Sequence, residues 1–153
     1  MGVDGVRRGR RERGAALIEF ALIMPLLLML LIGIIEFAWL FSQNLNVRHG
    51  AREGARLIAV NYNPNANSGA AQTTDIVTET CNRMDTVTGA TVTITGQGGD
   101  IGDPAAVEVS APGTTLTGFL DWAIPSGLML ISDIEIRLEQ PPTWQDTPME
   151  ACP

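Results

Sequence analysis

The segment from residue 15 to residue 41 is apolar apart from two carboxylates, Glu19 and Glu36, and Glu19 lies four residues inside it. Insertion scales place a carboxylate at the centre of a bilayer at roughly 2.5–3.5 kcal/mol, and lower near its edge. A residue with this cost needs a partner. From its position alone, two interpretations stay open: Glu19 makes a functional contact, or it reaches the headgroup region or pairs with Arg13.

The other reactive side chains do not form a catalytic or metal-binding pattern. His49 is the only histidine, and the two cysteines, Cys81 and Cys152, lie far apart in the sequence. We find no nucleophile–base pair and no Gly-rich phosphate loop. We therefore predict no catalytic residue, no metal and no cofactor, and we do not expect an enzyme. If the chain is exported, two cysteines fit one disulfide; the alternative is one buried and one loose thiol.

The apolar run is long enough to cross a membrane. As a helix, residues 15–41 would extend roughly 40 Å, whereas a bilayer core needs about 20 residues. The run is longer than the apolar region of a cleaved secretory signal and has no small-x-small site at its end. Half of the ten basic residues precede it, and these are Arg7, Arg8, Arg10, Arg11 and Arg13. The positive-inside rule then places the N-terminus in the cytoplasm and the C-terminus outside.

The part of the chain after the apolar run is acidic. From Asn61 onward the only basic residues are Arg83 and Arg137, and the net charge of the whole chain is −7. A surface of this kind does not neutralise phosphates, so we exclude nucleic-acid binding.

The residues around Glu19 resemble the processing site of type IV prepilins. In that pattern a short basic leader ends in Gly, and a Glu stands fifth after the cleaved bond; Gly14 and Glu19 match it. Glu19-Phe20 also resembles the Glu-aromatic pair of the Flp/Tad branch. The resemblance implies that a membrane prepilin peptidase cuts between Gly14 and Ala15. It also implies that the amine freed on one subunit pairs with the Glu of a neighbour.

A longer stretch is similar to TadE-like proteins. The likeness is close over residues 13–58, including Gly33-Ile34-Ile35-Glu36-Phe37 and Ala51-Arg52-Glu53-Gly54-Ala55-Arg56. It implies a pseudopilin or minor pilin of tight-adherence (Flp) pili, located in the bacterial cytoplasmic membrane. The implied partners are the major Flp pilin, TadF- and TadG-like proteins, inner-membrane platform proteins, the prepilin peptidase and membrane lipid. The alternative is an unprocessed signal anchor that carries a binding or adhesive ectodomain.

The apolar run and the residues after it are predicted to form one helix, from about residue 15 to residue 60. Pro25 removes a backbone donor and predicts a kink near Ala21. Glu36 is expected near the outer interface, either as a carboxylate in water or in a contact between subunits. Beyond the membrane, Arg48, Arg52 and Arg56 share one face and are either solvated, bound to lipid phosphates or paired with acidic neighbours. Small residues four apart, such as Gly50 and Gly54, predict a close approach by another element.

The remaining residues predict a small α+β domain, in which an antiparallel sheet packs against the stalk helix. We predict a second helix over 74–84 and strands over 87–95, 106–111 and 130–139. An apolar stretch over 116–127 packs on the sheet or contacts a partner. The predicted divisions are a leader (1–14), a transmembrane helix (15–41), a stalk (42–60), an extracytoplasmic domain (61–140) and an irregular Pro-rich tail (141–153).

Overall fold

The computed structural model describes residues 5–124 and 127–153, with side chains described from Gly14 onward. The chain divides into two compact units, Met1–Ala38 and Trp39–Pro153. Helix α1 (Gly5–Ala59) begins in the first unit and ends in the second, and it continues through Pro25 without interruption. Its residues from Gly14 onward are long and apolar enough as a helix to cross a membrane.

The second unit has the α+β architecture that the sequence predicts. Helix α2 (Ala70–Cys81) follows α1, and four strands follow α2: β1 (Thr91–Thr95), β2 (Pro104–Pro112), β3 (Met129–Arg137) and β4 (Thr147–Ala151). The strands form one antiparallel sheet in the order β3-β2-β1-β4. One strand more than predicted is present, because the prediction of an irregular tail is wrong for β4.

The inner face of the sheet and the two helices share one hydrophobic core. Alternate residues of β1 and β2 are buried, as expected for strands with one covered face. The buried apolar residues of α1 recur at helical spacing, from Val47 to Ala59. The largest fully buried side chain belongs to Trp144, which lies between β3 and β4 in the sequence.

Two glycines of α1 allow the neighbouring elements to approach closely. A Cβ added at Gly54 would lie 2.9 Å from Thr80 Oγ1 and 3.1 Å from Val107 Cγ1. A Cβ added at Gly50 would lie 2.6 Å from Met84 Sδ. The close approach predicted from the small-residue spacing is therefore present in the structure, where α1 contacts α2 and β2 at Gly54.

Replacing Gly54 with Ala is expected to destabilise the second unit, whereas replacing Gly50 with Ala is expected to have a smaller effect. Both changes gain roughly 0.5–1 kcal/mol from helix propensity. At Gly54 the new methyl meets Thr80, whose hydroxyl is fixed by a hydrogen bond to the Ile76 carbonyl (2.8 Å), and the overpacking cost is about 1–3 kcal/mol. At Gly50 it meets the flexible Met84 side chain.

Denaturant unfolding of the two variants in the same detergent measures this difference. Equal stabilities for Gly54→Ala and Gly50→Ala would contradict the proposed tight packing at Gly54.

Candidate functional site

The residues predicted to take part in leader cleavage and in assembly all lie in two exposed, consecutive turns of helix α1. Gly14, Ala15, Glu19 and Phe20 are helical and exposed, with Phe20 60% exposed. Ala15 and Glu19 are one turn apart on the same helix face, and helical side chains lean toward the N-terminus. The Glu19 side chain therefore points toward the end of the helix at which Ala15 lies.

The structure shows no ion pair of Glu19 within the part of the chain whose side chains it describes. Arg13, the partner considered from the sequence, lies outside those side chains. The apolar residues that follow Glu19 are also exposed, from Leu22 at 75% to Ile35 at 45%. A surface this apolar over several turns fits hydrocarbon rather than water.

Glu36 does not lie in water, contrary to the first of the two expectations from the sequence. Its side chain is buried, with 0% exposure. A carboxylate is stable in such a place only with hydrogen-bonding or charged partners. The sequence gives no sign of this burial, because Glu36 stands near the C-terminal end of an apolar run, where a solvated carboxylate is the common arrangement.

Gln43 attaches α1 to the loop that follows β2. The Gln43 Nε2 donates to the Thr114 carbonyl (2.7 Å), and the Thr114 backbone N–H donates to Gln43 Oε1 (3.0 Å). Gln43 is 1% exposed, so both amide atoms are satisfied inside the protein. Sequence reasoning missed this residue; its only signal is an amide directly after the apolar run, on the same helix face as Val47 and Gly50.

A second polar cluster fastens the C-terminal end of α1. Asn61 has a positive φ of 51°, a conformation that Asn adopts readily after the end of a helix. Its Oδ1 accepts from Gln72 Nε2 (2.9 Å) and from the Thr143 N–H (3.1 Å). The Trp144 indole N–H donates to the Ile58 carbonyl (3.4 Å). The residues after β3 are therefore tied to α1 and α2.

A disulfide joins Cys81, at the end of α2, to Cys152, which follows β4. The two Cα atoms are 5.6 Å apart. The Cys152 N–H also donates to the Ala90 carbonyl (2.9 Å), next to the start of β1. The bridge, considered from the sequence as one of two arrangements, thus holds the C-terminal strand against the helix that precedes the sheet.

The arginine stripe of α1 is exposed. Arg56 pairs with Glu53 (3.2 Å), whereas Arg48 and Arg52 make no ion pair within the described residues. Arg48 and Arg52 line a groove of about 310 Å³ beside residues 131–134 of β3. Whether these side chains bind water, lipid phosphate or an acidic neighbour stays a prediction.

Helix α1 therefore has an exposed apolar surface with Glu19 near its start, and a buried face with small residues nearer its C-terminal end. Residues 14–56 match the TadE-like protein family. These residues, the TadE-like segment, lie entirely within α1. No curated protein and no solved structure matches the chain. A TadE-like match implies a pilin-like role related to Tad pili, in a family that is not known as enzymatic. No group of residues suited to metal binding occurs among the described residues.

Proposed function

We propose that this chain is a pilin-like membrane subunit that takes part in the assembly of a Tad/Flp pilus. The observation that carries the proposal is the TadE-like segment, in which Glu19 stands exposed near the start of a long apolar helix. A helix with this surface is suited to the membrane before assembly and to contact with other such helices after it.

The proposed mechanism begins with removal of the leader. A prepilin peptidase cuts between Gly14 and Ala15, and Ala15 gains a free α-amino group. The amine of one subunit then pairs with Glu19 of a neighbour. Because an unpaired charge in low dielectric is costly, the pairing fixes the axial position of one helix against the next. Phe20 packs beside this contact, and Pro25 bends the helix near Ala21, one turn before it.

The proposed orientation places the leader in the cytoplasm and the second unit outside the cytoplasmic membrane. The arginine-rich leader supports this orientation through the positive-inside rule. The Cys81–Cys152 disulfide supports it independently, because disulfides persist in oxidising compartments outside the cytoplasm. The proposed membrane-crossing residues are 15–41 and the proposed stalk is 42–60.

The proposed partners follow from the same role. They are the major Flp pilin, TadF- and TadG-like subunits, the inner-membrane platform proteins, the prepilin peptidase and membrane lipid. The observation in support is the chemistry of the exposed surface, which offers an apolar helix to lipid or to other helices. The acidic second unit does not favour nucleic acid.

Replacing Gly14 with Val is expected to leave the leader attached. Gly at this position lets the backbone extend into a narrow peptidase cleft, and a β-branched side chain obstructs that approach. Fourteen of 153 residues in a 16.4 kDa chain correspond to about 1.5 kDa, which mass spectrometry of the membrane-extracted protein resolves.

Gly33→Val is the matched control for this experiment. It lies on the same helix, and an added Cβ meets nothing within 4 Å at either glycine. The control should be trimmed normally. If the unsubstituted protein from cells still begins with its arginine-rich leader, the pilin role fails and the signal-anchored ectodomain replaces it. A trimmed Gly14→Val variant would instead show that the cleavage site is misplaced.

A further inference from the structure

The loop between β2 and β3 exposes an apolar surface that the proposed pilin function does not use. Among its residues, Trp122 is 83% exposed, Leu116 52% and Phe119 44%. Residues 113–128 contain no Lys or Arg, and Asp121 is their only charged residue. Exposed aromatic residues grouped in one loop are uncommon on a surface that faces only water.

The start of the loop is fixed to helix α1 at the position of Gln43. Thr114, near its start, is bound to the buried Gln43 through both amide atoms, and the Gly113 N–H donates to the Leu128 carbonyl (2.9 Å), which closes the loop. Gln43 lies two residues after the apolar run ends at Phe41. The loop therefore emerges from the second unit at the end where the chain enters it.

The position of Gln43 along α1 corresponds to the outer membrane–water interface. A hydrocarbon core takes up about 20 helical residues, so a span that starts at Ala15 or at Glu19 ends roughly five to nine residues before Gln43. Trp is enriched at this depth because its ring is amphipathic, and Phe and Leu accompany Trp on the apolar faces of segments that lie in the interface.

The polar groups of the loop are paired in a way that suits a partly apolar environment. The Thr115 hydroxyl donates to the Asp121 carboxylate (2.6 Å). The N–H groups of Ala123 and Ile124 donate to the Leu120 carbonyl (2.8 and 3.1 Å). These bonds reduce the number of polar groups that would lose water on entering the headgroup region.

We propose that the β2–β3 loop, through its described residues 113–124, inserts Trp122, Phe119 and Leu116 into the outer-leaflet interface of the membrane that α1 crosses. The occupant of this surface is lipid. Insertion adds a second attachment point beside the helix and so restricts the orientation of the second unit on the membrane. The inference depends on α1 crossing the membrane, and it does not depend on a role in pili.

The test uses the full chain in nanodiscs of phosphatidylcholine, with or without bromine atoms near the headgroup end of the acyl chains. A Trp39→Phe background leaves only Trp122 and Trp144 as emitters, and Trp144 is 1% exposed. Trp39 tolerates Phe well, because its buried indole N–H has no hydrogen-bond partner among the described residues. Subtracting the spectrum of Trp39→Phe/Trp122→Phe isolates the emission of Trp122.

Most of the Trp122 emission should be lost in the brominated discs. A matched control is Ile101→Trp in the background that lacks Trp39 and Trp122. Ile101 is 67% exposed. It lies near the other end of the stalk, where the Gly102 N–H donates to Leu138 and the Glu139 N–H donates to Ala59. Ala59 is 16 residues beyond Gln43, about 24 Å along a helix. The emission of the Trp introduced at position 101 should therefore persist in the brominated discs.

Undiminished Trp122 emission in brominated discs would overturn the proposal. Quenching by aqueous acrylamide then assigns the loop to water, and protection from acrylamide assigns it to another protein surface, such as a second copy. The fluorescence readout requires neither leader removal nor a filament. Loop insertion can therefore be disproved while the pilin function stands, and the pilin function can be disproved while loop insertion stands.

Discussion

Replacing Glu19 with Gln is expected to abolish pilus assembly while the protein still inserts into the membrane at its normal level. The change keeps the size of the side chain, replaces one acceptor oxygen by an NH2 group and removes the negative charge. Breaking a buried ion pair by removing one partner costs about 3–5 kcal/mol, which corresponds to a loss of roughly 10²–10⁴-fold in the association constant of each contact. Membrane insertion should not suffer, because a neutral Gln is cheaper to bury than a carboxylate.

Glu53→Gln is the matched control. Glu53 lies on the same helix, but its side chain pairs with the exposed Arg56 at 3.2 Å, and surface pairs of this kind contribute about 0–1 kcal/mol. Electron microscopy and sheared-pilin immunoblots count filaments in both variants, and membrane fractionation measures the protein level. Normal piliation in the Glu19→Gln strain would remove the assembly role from this carboxylate.

A Glu19→Gln variant should also be trimmed at Gly14 like the unsubstituted chain. Leader removal and helix pairing are separate steps in the proposed mechanism, and only the second needs the Glu19 charge. Loss of both trimming and filaments in this variant would assign Glu19 to recognition by the peptidase instead. Mass spectrometry of the same membrane fractions distinguishes these outcomes.

The parts of the fold that local pattern encodes could be predicted from the sequence. The helix predicted over 15–60 ends one residue earlier, at Ala59, and three predicted strands overlap β1, β2 and β3. Helical and strand periodicities are local, so a single sequence reveals them. The second helix starts four residues earlier than predicted, because Gly69 precedes it without a side-chain cap to mark the start.

The parts that depend on distant partners could not be predicted. Strand β4 contains Pro148, which argues against a central strand but is compatible with the edge position that β4 takes beside β1. Gln43 and Thr114, which hold the loop, are separated by 71 residues. The sequence marks neither Gln43 nor Gln72 as buried, since the groups that satisfy their amides come from other elements.

The candidate functional residues also fall into those that the sequence revealed and those that required the structure. Gly14, Ala15, Glu19 and Phe20 were found through a resemblance and a local pattern, because the cost of a carboxylate in an apolar run is visible without a structure. Their roles stay predictions. From the sequence, the β2–β3 loop was visible only as an apolar stretch, and its position along α1 required the Gln43–Thr114 contact.

Trp144 is expected to contribute more to the stability of the second unit than any other single side chain in the C-terminal part. It is 1% exposed, packs in the hydrophobic core and donates to the Ile58 carbonyl at 3.4 Å. Replacing a buried Trp with Ala leaves a cavity and costs about 3–5 kcal/mol. Because small domains have total stabilities of about 5–15 kcal/mol, the loss is a large share of what holds the unit folded.

The matched control is Trp122→Ala, since Trp122 is 83% exposed and its removal leaves no cavity. Proteolysis of the urea-treated proteins in a mild detergent, where no bilayer covers the loop, gives an unfolding midpoint for each variant. With slopes of about 1–3 kcal/mol per molar urea, Trp144→Ala should lower the midpoint by about 1–5 M, and Trp122→Ala should leave it nearly unchanged.

Reduction of the disulfide should add to the effect of Trp144→Ala. Cys81 and Cys152 enclose Trp144 in a closed loop with a sequence separation of 71 residues, and the unfolded chain gains entropy when that loop opens. In the oxidised Trp144→Ala variant, the bridge still holds β4 near α2 and limits the loss. The midpoint of the reduced variant should therefore lie below those of the oxidised variant and the reduced unsubstituted protein. If Trp144→Ala and Trp122→Ala instead unfold at the same urea concentration, the residues after β3 are not part of the core, and the bridge alone retains them.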